Sequence, residues 1–290
     1  MANFGKGQRK KMLELIGYDF FQRALVAVVL TGICCGLVGV WILLMKISFI
    51  TVAISHAALA GGLLALVWHR PVVPVAMIFS VVTAGLLAPL SERGRLHPES
   101  SIGVMFATAL GVVFLVMGVV PEARTQGLSL LWGSLLTVEK MDLFVLAGTT
   151  LVTAGLVLAC FKEIQAVIFS RELARASGIA AGVFFFLILF LSGAVVTACL
   201  KSIGGLLVFS LILNPAAAAY QITYNLKKMY ALSCLLAILS GVAGLVIASL
   251  ANWPAGACVV LVSSFIFFVA LAVCPKKRRG KNYVGEKGLF

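Results

Sequence analysis

Acidic side chains are scarce in this chain, with 10 aspartates and glutamates in 290 residues against 23 lysines and arginines and three histidines. Charged residues of either sign make up only 11% of the sequence, 62% is hydrophobic, and the mean hydropathy is +1.12. That excludes a water-soluble domain, in which roughly half the residues would have to face water. The nucleotide-binding pattern G-x-x-x-x-G-K-[ST] is missing, so no P-loop nucleotide chemistry is expected of this chain. None of the seven cysteines stands in a C-x-x-C spacing, and no disulfide framework is expected. Cys34, Cys35, Cys160, Cys199, Cys234 and Cys258 lie in or beside apolar runs, where thiols pack as small hydrophobes. Cys34 and Cys35 could form a soft-metal pair, but neighbours on a helix diverge by about 100°, which favours packing. The N-terminal stretch is polar and basic, with no cleavage pattern of a signal peptide before the first span. Low-complexity linkers, a soluble domain and clear internal repeats are absent as well.

What remains is a series of apolar runs, each long enough to cross a hydrocarbon core of about 30 Å. They fall at Phe21–Met45, Thr51–Trp68, Val72–Leu90, Ile102–Val120, Leu143–Phe161, Ala180–Cys199, Ile203–Tyr220, Tyr230–Leu250 and Ala255–Val273. The runs are too long and continuous for barrel strands. The chain therefore reads as an all-α, polytopic helical membrane protein with eight or nine spans. A basic, amphipathic segment (1–20) precedes the transmembrane part (21–273), and a basic tail (274–290) follows it. The formal charge of +13 is concentrated in "KGQRKK", "PKKRRGK" and short connections. That placement follows the positive-inside rule and suits anionic lipid rather than nucleic acid. "SERGRLHPES", "KEIQAVIFSRELARASG", "NLKK" and the tail read as cytoplasmic, the other long connections as external. Nine crossings would put the basic N-terminus outside, against that rule; eight would not.

Some features carry chemistry. "KEIQAVIFSRELARASGIA" interrupts two apolar runs, and Glu172, Leu173, Ala174, Ala176 and Gly178 suggest a short helix ended by glycine. It is either a docking helix on the cytoplasmic surface or an ordinary interfacial loop. Asn214-Pro215 breaks helical hydrogen bonding, which frees carbonyls for a route or simply kinks the helix. Lys201 stands at a helix end, where lysines snorkel. His97 and Glu99 sit in a basic loop, and His69 lies at a span edge.

In order along the chain, several segments resemble the permeases of binding-protein-dependent ABC importers of the zinc/manganese/iron branch. "ISHAALAGG" looks like that family's histidine motif, and "LHPESSIGVMF" and "LLWGSLLTVEKMDL" resemble two of its further segments. "FSRELARASGI" matches its coupling segment; "LKSIGGLLVFSLILNPAAAA" and "ANWPAGACVVLV" match its later motifs. The resemblance implies a permease in the inner membrane of a prokaryote, working as a homodimer or paired with a paralogue. Two ATPase subunits would carry ATP below it, and an extracytoplasmic solute-binding protein would sit above. Glu172, Ala174, Arg175, Ala176 and Gly178 would form the ATPase-facing segment, within about 162–179. Ser170 stands where the family usually has aspartate.

His56 is the residue of most interest. It lies ten residues past Lys46, about 15 Å of helix rise and so near the midplane if Lys46 marks the interface. An ionisable residue at that depth is functional by default. The resemblance implies an aspartate four residues earlier, on the same helix face, where this chain has Val52. The expected translocation route comprises His56, Val52, Ser55, Asn214 and Pro215, with His56 as a candidate metal ligand. The alternative is a histidine held by a neighbouring carbonyl or by Ser55. No cofactor resident in this chain is expected; the cargo would be a divalent transition metal, zinc or manganese before iron. A chelated metal, another solute, an ATPase-independent secondary transporter and a membrane scaffold stay open as alternatives.

Overall fold

A computed structural model of the chain describes residues 18–93, 98–133, 138–205 and 208–273, with the side chains of 88–93, 98–99, 122 and 132 outside that description. The segment 1–17, the tail 274–290, His97 and the side chain of Glu99 thus lie outside the described residues.

Every apolar run forms a helix. Twelve helices follow one another among the described residues: α1 (Asp19–Leu44), α2 (Ser48–Val67), α3 (Val72–Arg93), α4 (Pro98–Val119), α5 (Pro121–Trp132), α6 (Lys140–Ala159), α7 (Phe161–Phe169), α8 (Arg171–Ala176), α9 (Ala181–Ile203), α10 (Val208–Ile222), α11 (Leu226–Ala251) and α12 (Ala255–Val273). Seven of them are long and apolar enough to cross a membrane: α1, α2, α4 (over Ser100–Val119), α6, α9, α11 and α12. Two apolar helices are shorter, α10 and the described part of α3 (Val72–Leu87), and bring the apolar segments to the nine expected. In lipid a helix satisfies its own backbone, so long apolar runs have few other solutions.

Helices α1, α2 and α9 form the buried centre. On one side α2 packs against α3, α4 and α5; on the other α1 packs against α10, α11 and α6. Small residues permit these contacts. A Cβ on Gly39 would collide with the carbonyl of Ile212, so α1 and α10 touch backbone to backbone there. The outer faces of α4, α6 and α12 carry exposed apolar side chains such as Phe114, Leu151, Leu158 and Phe265, as a lipid-facing surface requires.

Two groups of contacts fix the ends of the bundle. Met45, just after α1, packs with Val167, Ala174 and Ala181 around α7 and α8. At the other end Leu66, Val72, Leu130, Glu139 and Lys201 line a cavity of about 270 Å³. Asp19, at the far end of α1 from Met45, therefore shares the Lys201 end, the arrangement that nine crossings require.

Candidate functional site

α2 places His56 two turns in from its start at Ser48. The ring is 6% exposed and meets Phe106 of α4 edge to face, with centroids 4.7 Å apart. Its Nδ1 lies 2.9 Å from the carbonyl of Val52 and 3.3 Å from Ser55 Oγ, whose own hydroxyl donates to the Val52 carbonyl at 2.9 Å. A carbonyl can only accept, so Nδ1 carries the proton and Nε2 keeps its lone pair. Val52, which stands where the resemblance implies an aspartate, thus orients the imidazole through its backbone. That is the tethered histidine weighed above as the alternative to a ligand. It is also the arrangement that metal-binding histidines adopt, with one nitrogen fixed by a carbonyl and the other free to coordinate.

The turn after α9 closes over this part of α2. A Cβ on Gly205 would touch the side chain of Leu59 and the carbonyl of Ser55, while the Gly205 amide donates to the Leu130 carbonyl at 3.0 Å. "LKSIGG" and "ISHAALAGG" therefore meet in space. Asn214 turns elsewhere: its Nδ2 donates to Ser263 Oγ at 3.1 Å and Ser264 Oγ at 3.0 Å, tying α10 to α12. Pro215 sits inside α10 and is buried, and it leaves the carbonyl of Leu211 without its helical donor.

At the Lys201 end, sequence reasoning missed a partnership. Lys201 Nζ lies 3.1 Å from Asp142 Oδ1 and 3.4 Å from Oδ2. It is held in an ion pair rather than snorkelling freely. Asp142 is itself organised by α6, where Glu139 and Asp142 form a reciprocal capping box. The only available signal was the pattern E-x-x-D at the start of an apolar run.

The interrupting segment folds as two short helices. Ser170 caps α8, accepting from the Leu173 amide at 3.3 Å. An aspartate cap would accept the same bond, so this departure from the family pattern leaves the local structure intact. α8 ends in a Schellman motif: Gly178 has φ +79° and donates to Arg175, and Ile179 donates to Ala174. Ala174 is buried against Val167 and Ala181, while Glu172, Leu173, Arg175, Ala176 and Gly178 face outward. Arg171 lies 4.0 Å over the ring of Phe185 and pins the segment to α9. The result is a short surface helix capped at both ends and packed on α9.

Cys34, Cys35 and Cys199 are free and packed in the buried core. Although Cys34 and Cys35 diverge around α1, both thiols reach Cys199 of α9, each Sγ 3.8 Å from it. Cys199 lies between the two directions, which the helix period of α1 alone cannot reveal.

The model of the ABC 3 transport family matches residues 17–274. A manganese transport system membrane protein of Halalkalibacterium halodurans is 32% identical over 187 residues, 63% of this chain and 62% of that protein, so the match spans less than two thirds of the relative's length. A manganese import system permease protein of Streptococcus parasanguinis is 27% identical over 265 residues, 91% of this chain and 94% of that protein. Among solved structures, PsaBC from Streptococcus pneumoniae, in complex with Fab, superposes with a TM-score of 0.84 at 27% identity, covering 94% of this chain and 99% of that one.

Proposed function

The chain belongs to the ABC 3 transport family, and from that premise we propose that it is the permease subunit of an ABC importer for a divalent transition metal. Manganese is the first candidate, because both curated relatives named above are manganese transport proteins; zinc and iron come after it. The observation that carries the reading is the 27% identity to a manganese import permease over 91% of this chain and 94% of that protein. The protein is a multi-pass protein of the cytoplasmic membrane, and this chain moves its cargo without covalent chemistry.

In this reading the α8 end faces the cytoplasm and docks on an ATPase subunit through Glu172, Arg175, Ala176 and Gly178, with Ala174 anchoring the segment from its buried side. The Lys201 end receives cargo from an extracytoplasmic solute-binding protein. A second copy or a paralogue completes the pathway, lipid covers the outer faces, and 21–273 is the transmembrane unit. ATP binding and hydrolysis in the partner would drive alternating access. His56 is the pathway residue, with Val52 and Ser55 holding its tautomer and Nε2 offered to the passing ion. Imidazole suits zinc and ferrous iron; manganese favours oxygen ligands and would draw on backbone carbonyls and water beside His56. Asn214 and Pro215 contribute through the interrupted backbone of α10.

A second reading, a chelated metal as cargo, is favoured by Val52: the helix face that orients His56 carries no carboxylate to replace lost hydration. The test is co-purification with a P-loop ATPase, followed by stimulation of its ATPase activity. Stimulation by free manganese supports the first reading, and stimulation by a chelate alone supports the second. A stable, transport-active chain with no ATPase bound would overturn both.

A further inference from the structure

We propose that Cys34, Cys35 and Cys199 form a binding site for a thiophilic cation, separate from the cargo route at His56. Among the described residues this trio is the group of three or more histidine, cysteine or acidic ligands close enough to share one ion, with all three sulfurs within 4.8 Å of one another. Two of the sulfur pairs stand 3.8 Å apart. A cation bonded to three sulfurs at about 2.3 Å holds them about 4.0 Å apart when planar and about 3.8 Å apart on a tetrahedral face. The cluster thus already has two of its three edges at ligand spacing, and the third is no longer than 4.8 Å.

The surroundings point the same way. All three cysteines are fully buried, so the space between their sulfurs is closed to solvent. The hydroxyl of Thr31, also fully buried, has no hydrogen-bond partner, and the Thr31 carbonyl accepts from Cys34 Sγ at 3.4 Å. Thr150 stands beside Cys34 and already bonds the carbonyls of Leu146 and Leu30. A buried hydroxyl left unpaired is costly; a thiolate beside Thr31 would accept a hydrogen bond from it. A divalent cation with two thiolates and one thiol is neutral overall, the least expensive form for a buried ion. Thiolates select zinc or monovalent copper and disfavour manganese, which separates this site chemically from the proposed cargo. An ion there would join α1 to α9, two of the three central helices, and entry requires those helices to part.

The test uses the full-length protein in lipid nanodiscs, stripped of metal and equilibrated with Cd²⁺ as the probe. The expected result is one Cd²⁺ per chain with a sulfur-to-cadmium ultraviolet charge-transfer band. That band should vanish in the C34S/C35S/C199S variant and persist when Cys160, Cys234, Cys258 and Cys274 are replaced by alanine. It should also persist in His56→Ala. X-ray absorption on cadmium-loaded wild-type protein, which needs no variant, should count three sulfur neighbours. Zn²⁺ or Cu⁺ should displace the probe. Absence of the band, its survival in the triple serine variant, fewer than three sulfur neighbours, or failure of both ions to displace cadmium would each overturn the proposal. None of these readouts depends on transport, so the outcome is independent of the permease reading.

Discussion

Replacing Lys201 with methionine isolates the ion pair at the Lys201 end. Nζ lies 3.1 Å from Asp142 Oδ1, and the two side chains are 35% and 10% exposed. Stripping one partner from a fully buried pair costs about 3–5 kcal/mol, whereas exposed pairs contribute about 0.2–1 kcal/mol. This pair lies between. Lys201 reaches water over a third of its surface, so solvent screens the attraction. Asp142 also keeps the Glu139 amide, 3.1 Å from Oδ2, and the favourable dipole at the start of α6. Those compensations place Lys201→Met at about 1–2 kcal/mol. Asp142→Asn preserves an acceptor for that amide and leaves Lys201 able to hydrate, at a cost of about 1 kcal/mol. Since the two substitutions remove the same interaction, the double variant should cost less than their sum, with a coupling of about 1 kcal/mol. Reversible unfolding in mixed micelles measures all four corners of the cycle. Additivity within about 0.3 kcal/mol, or a neutral Lys201→Met, would refute the claim that this pair fastens α6 to α9.

Three further outcomes follow from local geometry. Gly178→Ala puts a Cβ on a left-handed residue and should destabilise the end of α8 by about 1–2 kcal/mol, seen as faster amide exchange over 171–179 and weaker ATPase docking. Ser170→Ala should cost about 1 kcal/mol through loss of the α8 cap, while Ser170→Asp should leave exchange in α8 unchanged. Gly39→Ala forces α1 away from the Ile212 carbonyl and should lower stability by about 1–3 kcal/mol in the same micelle assay, with an unchanged midpoint as the opposing result.

Much of the architecture could be read in advance because lipid leaves the backbone few choices. An uninterrupted apolar run must be helical, and all nine runs are helices. The surface segment was legible for a local reason: its glycine and small residues encode a terminated helix within a few positions, and Gly178 adopts the left-handed conformation that this ending needs. What the sequence hid was long-range. Lys201 and Asp142 are 59 residues apart, and Cys199 lies 165 positions from Cys34. Helical period says which residues share a face, but not which faces meet. Phe106 was hidden likewise, since nothing in an apolar run marks the one aromatic ring that lies against a histidine. His56 stood out by its rarity and depth, yet the carbonyl that orients it belongs to Val52, a residue notable in the sequence only for the carboxylate it lacks.

The most direct test of the account is manganese uptake into vesicles that hold this chain with its ATPase and a solute-binding protein, compared for wild type and His56→Ala. The account predicts ATP-dependent accumulation of manganese in the wild type and its loss in His56→Ala, with the variant still folded and still docked on the ATPase. Accumulation without ATP, or a wild-type rate in His56→Ala, would contradict it.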